Sequence, residues 1–267
     1  MSTPVTSTPN AMPPQVDLMG LPLDGLTLTG AVDHLIAESA AGRGGYVMTP
    51  NLDNLYALTH DPDLMDRALA AELRVADGMP LVWASRIKGR PLPGRVAGSD
   101  LILTLTDEIA QTGDRLFLLG GEPGTADRAA GELRRRAPGL TVAGTHCPPF
   151  GFEGRSGDLA EIRDRLQAAD PDFVYVGLPF PKASALIADL RRTLPRTWFL
   201  GLGISFSFVC GDVQRAPGWM QSLGLEWAHR LIQEPRRLAR RYLIEGGPFA
   251  LRLFWNSYLD SRALRGS

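Results

Sequence analysis

Five apolar runs of this sequence stop on residues that can do chemistry. They close on Thr49-Pro50-Asn51, on Asp77-Gly78, on Gly120-Gly121, on the stretch from Gly177 to Pro181-Lys182, and on Gly203-Ile204-Ser205. In an open parallel sheet, ligands bind beyond the carboxyl ends of the strands, so such residues fall where a substrate would lie. Asp77 is the candidate general acid or base. Aspartate before a helix also serves as an N-cap, and Thr49 and Asn51 can cap the helix that follows them. Gly120-Gly121-Glu122-Pro123-Gly124 joins a strand to a helix, where glycine lets a phosphate approach backbone N–H groups. It matches neither a P-loop nor a dinucleotide fingerprint, so it names no cofactor, and glycine is an ordinary turn residue in any case.

A metal site is not expected. Asp61-Pro62-Asp63 and Asp170-Pro171-Asp172 have the Asp-x-Asp form used by metal-dependent sugar transferases. Both fall where Asp-Pro commonly starts a helix or a turn. The four histidines are scattered, and the two cysteines, Cys147 and Cys210, are not in a Cys-x-x-Cys pair. Neither pattern is that of a zinc site or a disulfide framework, and two lone cysteines fit a reducing compartment. A second chemical signal is cationic. Residues 212–267 carry nine Arg against five acids, and Arg230, Arg236, Arg237, Arg240 and Arg241 are clustered. Basic and aromatic residues on an amphipathic helix read as an anion clamp or an interfacial membrane element, and a solvated surface is the plainer alternative.

The elements that must position these residues alternate. Strands are expected at Val16–Leu23, Gly45–Met48, Arg74–Asp77, about 115–120, Leu140–His146, Asp172–Leu178 and Thr197–Gly203. Helices are expected at Thr29–Gly42, from Leu52 to Leu73 with a break at Asp61-Pro62, at Met79–Gly89, Asp100–Gly113, after Gly124, at about 158–168 and at 182–194. This rhythm predicts an α/β fold, a mostly parallel sheet with helices on both faces. After Gly211 the text is helical and Arg-rich with no strand. The expected organisation is a disordered Ser/Thr/Pro tail over 1–15, a core over 16–211 and a helical appendage over 212–267.

Length and charge narrow the class further. The 267 residues suffice for one large α/β domain with an appendage, and the formal net charge of -1 gives no global field for nucleic acid. The N-terminus lacks the basic and apolar regions of a signal peptide. No apolar run reaches the roughly 18–20 residues of a spanning helix, so any membrane contact is expected to be peripheral.

Several strings then converge: TPNLDNLYAL, VADGMPLVWASRIKGRPLPGRVAGSDL, LFLLGGEPGTADRAAGELRRRAPGL, DFVYVGLPFPK and RAPGWMQSLGLEWAHRLIQEPRRLARRYL. In order and spacing, from about residue 18 to 250, the chain resembles the WecG/TagA/CpsF family of bacterial glycosyltransferases. The resemblance implies a Rossmann-like core with a mobile C-terminal appendage. It implies inverting, metal-independent transfer from a UDP-sugar to a polyprenyl-diphosphate-linked saccharide, on the cytoplasmic face of the membrane and without a cofactor. The products of such enzymes feed wall teichoic acid, enterobacterial common antigen, capsule or exopolysaccharide. By the same resemblance, Asp77 deprotonates the acceptor hydroxyl, and Thr49 and Asn51 position sugar and acceptor. Arg95 and the appendage arginines 230, 236, 237, 240 and 241 hold a diphosphate. Gly120, Gly121, Gly177, Pro181, Lys182, Ser205 and Ser207 form the donor-binding set.

The loop Arg95–Asp100 is expected to close over the pocket. Two departures stand out. Ala183-Ser184 replaces the family's usual Gln-Glu after Pro-Lys, and Ser207 replaces the Asp of its Phe-Asp-Phe. A changed substrate is one reading of them, and a noncatalytic nucleotide-sugar-binding or partner subunit is another. An NAD-type oxidoreductase rests on fold analogy alone. A homo-oligomer is compatible with the sequence.

Overall fold

The structure is a computed structural model that describes residues 13–218, 220, 226–233 and 244–266. The expected disordered tail falls almost wholly outside these residues. The first apolar run, read above as one strand, is instead a hairpin. β1 (Gln15–Leu18) and β2 (Leu21–Asp24) pair antiparallel in their own two-stranded sheet. The run breaks because Met19 and Gly20 both adopt positive φ, the conformation of a tight turn. The Asp24 carboxylate accepts from Gln15 and from the backbone N–H of Arg74, which ties the hairpin to the main sheet.

That main sheet has six parallel strands. They are β3 (Gly45–Met48), β4 (Leu73–Arg74), β5 (Arg115–Gly120), β6 (Thr141–His146), β7 (Phe173–Gly177) and β8 (Trp198–Gly201). Their spatial order is β4-β3-β8-β7-β5-β6. Side chains alternate between two cores, as the two-residue period of a strand requires. Phe173, Tyr175, Trp198 and Leu200 face one core with α1 (Leu28–Ala40), α5 (Gly98–Thr112), α6 (Thr125–Arg136) and α9 (Ser205–Val209). Val174, Val176 and Phe199 face the other with α2 (Leu52–His60), α3 (Pro62–Leu69), α4 (Met79–Ile87), α7 (Ser156–Ala169) and α8 (Lys182–Leu190). Burial on both faces explains why these strands read as nearly continuous apolar runs. The α/β architecture expected from the alternation is the one observed.

Both Asp-Pro-Asp strings have structural jobs. Asp61 caps α3 by accepting from Leu64 N–H, with Pro62 at the first helical position. Asp170 ends α7 in a left-handed conformation, and Asp172 accepts from the N–H of Arg115. Among the described residues, no three His, Cys, Asp or Glu are grouped to hold a metal.

The last helix (Gly247–Gly266) returns to the core and packs against α4. Phe249, Leu253, Ser257 and Ser261 recur every four residues and are all buried. That spacing keeps them on one face of the helix. Phe249 meets Tyr56 edge-to-face, and Lys88 pairs with Asp260 at 2.7 Å. Leu253→Ala should therefore cost about 3 kcal/mol of unfolding free energy. Urea denaturation checks this, and a loss below about 1 kcal/mol would mean that the helix is not part of the cooperative core.

Candidate active site

A cavity of about 490 Å³ opens at the carboxyl ends of β3, β4, β7 and β8. Its lining includes Thr49, Asn51, Asp77, Ser205 and Arg95 from the core, with Glu226 and Phe254 from beyond residue 211. Trp83, Phe180, Phe208 and Phe254 supply aromatic walls.

Asp77 reaches this cavity because parallel pairing continues past the end of β4. Val75 N–H donates to Met48 O at 3.0 Å, and Asp77 N–H to Pro50 O at 2.8 Å. Gly78 then turns the chain with φ 143°, a value that favours glycine, and becomes the N-cap of α4 with no side-chain cap bond. Asp77 is therefore not the cap of α4. Its carboxylate accepts instead from the N–H of Gly98, at 3.3 Å, in the first turn of α5. The segment 98–100, expected as part of a closing loop, is that first turn. Val96 N–H to Ala76 O, at 2.8 Å, clamps the two segments together.

Burial dominates the electrostatics of Asp77 and pushes its pKa up to about 6. The Gly98 N–H and the Arg95 guanidinium pull it down, and Glu226 and Asp100 push it up. The carboxyl still presents part of its surface to the cavity.

Thr49 donates to Gly201 O at 3.4 Å, and Ser205 donates to Leu202 O at 2.7 Å. A Cβ on Gly98 would lie 3.6 Å from each hydroxyl, an ordinary contact, so α5 starts directly over them. Asn51 does cap α2. It accepts from Asn54 N–H while Asn54 accepts from Asn51 N–H, a reciprocal box. The cap uses its carbonyl oxygen and leaves the NH2 as the group to meet a substrate.

Among the described residues, Arg95, Asp100, Arg215 and Glu226 form a charge cluster beside Asp77. Arg95 donates to Glu226 at 2.5 Å and lies 3.8 Å from Asp100. Arg215 donates to Asp100 at 2.6 Å and lies 3.8 Å from Glu226. Sequence reasoning missed Arg215, Asp100 and Glu226 as site residues. The signal was present, since Arg215 and Glu226 stand in the RAP and GLEW strings quoted above.

Other expected residues lie elsewhere. A side chain at Gly120 would strike Leu178, and one at Gly177 would strike the Phe206 ring at 2.6 Å. Gly121 N–H donates to Gly177 O. These glycines permit close packing under Leu178 and Phe206, and none lines the cavity. Pro181 begins α8, and Lys182 pairs with Glu153 and sits 5.3 Å from the Phe150 ring centroid, both outside the lining. Ser207 accepts from Asp212 N–H through its carbonyl, also outside. Arg230 falls in a helix spanning Glu226–Gln233. Its side chain, like Arg236, Arg237, Arg240 and Arg241, lies outside the described residues.

The two departures at 183 and 184 have different addresses. Ala183 lines the cavity, so the short side chain enlarges it. Ser184 is buried against the Tyr46 phenol, whose pKa burial pushes up to about 12 while Ser184 pulls it down.

A parallel α/β sheet with a buried carboxylate and an arginine in a cavity at its strand ends defines the class as an enzyme of Rossmann-like design. Over residues 16–263 the chain matches the glycosyl transferase WecG/TagA/CpsF family, and it belongs to that family. It is a glycosyltransferase. It is 30% identical over 214 residues to the N-acetylglucosaminyldiphosphoundecaprenol N-acetyl-beta-D-mannosaminyltransferase of Bacillus spizizenii, an alignment covering 80% of this chain and 81% of that one.

The raised pKa of Asp77 carries a stability signature. Its folded value of about 6 lies above the ordinary 3.8. The neutral form is favoured by the fold, so its contribution is complete below about pH 4 and is lost as pH rises through about 6. Asp77→Asn should therefore be more stable than the wild type at pH 8, by about 3 kcal/mol, with the difference shrinking toward pH 4. Chemical denaturation at the two pH values reads this directly. A variant less stable at pH 8 than at pH 4, relative to wild type, would contradict the burial argument.

Proposed function

We propose that the chain transfers a sugar from a UDP-sugar to an amino sugar carried on a polyprenyl diphosphate, by one displacement with inversion and without a metal or cofactor. The observation that carries this reading is Asp77, a carboxylate poised near pH 6 on the floor of a sugar-sized cavity. The acceptor class follows the name of the Bacillus relative.

In this mechanism the acceptor O–H proton passes to Asp77 as the oxygen bonds to the anomeric carbon. The bond from that carbon to the β-phosphate oxygen breaks, and UDP leaves with the electron pair. The charge growing on the diphosphate falls to Arg95, beside Asp77, and to the appendage arginines 230, 236, 237, 240 and 241. Thr49 and the Asn51 amide meet sugar hydroxyls. Aromatic walls such as Trp83 and Phe254 cover the apolar sugar faces. The donor-binding roles of Ser205, Gly120, Gly121, Gly177, Pro181, Lys182 and Ser207 remain proposals. Only Ser205 among them has the support of lining the cavity.

The test is acceptor-dependent UDP release from a panel of UDP-sugars, with EDTA present. The rate constant kcat/KM should rise with pH and level off above about 6, since the base must be ionised. Asp77→Asn should lower kcat by roughly 10²–10⁴-fold. Full activity of that variant would remove Asp77 from the mechanism.

We further propose that the enzyme works on the inner membrane surface through its last helix. No described helix is long and apolar enough to cross a membrane. Leu251, Trp255, Tyr258 and Leu259 nevertheless stand exposed on the outer face of that helix, with Arg252, Arg262 and Arg265 also exposed. Aromatic and aliphatic groups flanked by cations suit an anionic lipid surface. The same helix lines the cavity with Gly247, Ala250 and Phe254, so a lipid-linked acceptor bound to the membrane would lie near the cavity. Vesicles containing anionic lipid should float the wild-type protein, and Leu251→Ser/Trp255→Ser should leave it largely at the bottom of the gradient. Equal flotation of both would exclude this face.

A further inference from the structure

Two guanidiniums converge on one carboxylate at the cavity edge. Arg95, from the segment before α5, approaches one oxygen of Glu226 at 2.5 Å. Arg215, from the chain leaving α9, lies 3.8 Å from the other oxygen. Both arginines also touch Asp100, which sits between them on the core side at 3.8 and 2.6 Å. All four side chains are at most one-third exposed. Asp100 is fixed in the first turn of α5, whereas Glu226 opens a separate short helix beyond residue 211.

Charge then decides what the site can accept. Among the described residues, Arg95 and Arg215 bring two positive charges against the three carboxylates of Asp77, Asp100 and Glu226. The Glu226 carboxylate occupies the arginines that an incoming anion would need, and its charge opposes that anion. With Glu226 withdrawn, the two guanidinium groups that touch it border the space its carboxylate held. A fork of this kind matches phosphate oxygens as well as it matches a carboxylate.

We infer that Arg95 and Arg215 form a diphosphate seat, and that Glu226 occupies it in the empty enzyme as an internal stand-in for the ligand. Substrate diphosphate displaces Glu226 and takes over its two arginines. Glu226 thus keeps the seat assembled, and it weakens binding by competing for it. Exchange of one anion for another needs no proton or redox partner. The inference rests on the transferase reading for the ligand class. The diphosphate belongs either to the nucleotide donor or to the lipid-linked acceptor.

The experiment is calorimetric titration of the full chain with UDP and, separately, with geranyl diphosphate, on wild type, Glu226→Gln, Arg215→Gln and the double variant. Removing the competing charge in Glu226→Gln should tighten one of the two ligands by about tenfold, the scale of one charge-assisted pair. Arg215→Gln alone should weaken the same ligand, and in the double variant the gain should vanish. Tightening of UDP assigns the seat to the donor, and tightening of geranyl diphosphate assigns it to the acceptor. A gain that survives in the double variant would mean that Glu226→Gln merely loosens the appendage, and would overturn the seat. Unchanged or weaker binding of both ligands to Glu226→Gln would overturn it too. The transfer assay separates this from the parent reading. Transfer without the binding gain leaves the transferase and removes the seat, and the binding gain without transfer does the reverse.

Discussion

The hydrogen bond from the Gly98 N–H to Asp77 joins two parts of the chain on which the rest of the site depends. A carboxylate at the floor of a protein cavity is costly to ionise, and among the described residues the Gly98 N–H and the Arg95 guanidinium offset part of that cost. That partial compensation leaves the group between a permanent anion and a permanent acid. More donors would trap the proton-free form and make a poor base. Fewer would keep the proton bound near neutrality. The fold supplies this balance by running α5 from the edge of β4 and starting it on glycine, directly above Thr49 and Ser205.

The same balance explains why charges outside the immediate contact matter. Asp100 and Glu226 raise the pKa of Asp77, and Arg95 lowers it. Arg95 is itself shared between those two acids. Any ligand that takes Arg95 or displaces an acid changes the basicity of Asp77 as well as its own affinity. Anion binding and the protonation of Asp77 are in this sense coupled through one small network.

The sheet, its helices and most strand ends were legible in the sequence, because a two-sided parallel sheet writes itself as short apolar runs closed by turn residues. Asp77, Thr49 and Asn51 were legible for the same reason. The hairpin at 15–24 was misread as one strand because Met19-Gly20 interrupts an apolar run without changing its composition. Gly120 and Gly121 looked like a phosphate approach, and Gly177 stood in the donor-binding set that the resemblance implied. Whether space beside a glycine is filled by a Phe206 ring or left for a ligand depends on residues far away in the chain. Arg215 and Glu226 were passed over because their meaning lies in meeting Arg95, more than a hundred positions earlier. Pattern alone does not carry such a distance. The family resemblance supplied what the pattern could not, a reason to look at those strings at all.

The last helix has a consequence for how the enzyme comes into being. Thr49, Asn51 and Asp77 leave the ribosome well before Phe254 and the buried stripe ending at Ser261. Until then the apolar surface over α4 and Tyr56 has no cover, and the cavity lacks a wall. A chain interrupted before that helix would carry Asp77 and its strand ends but no enclosed site. An enclosed cavity is thereby tied to synthesis of this helix, and a chain that stops short of it marks itself by the hydrophobic face it leaves bare.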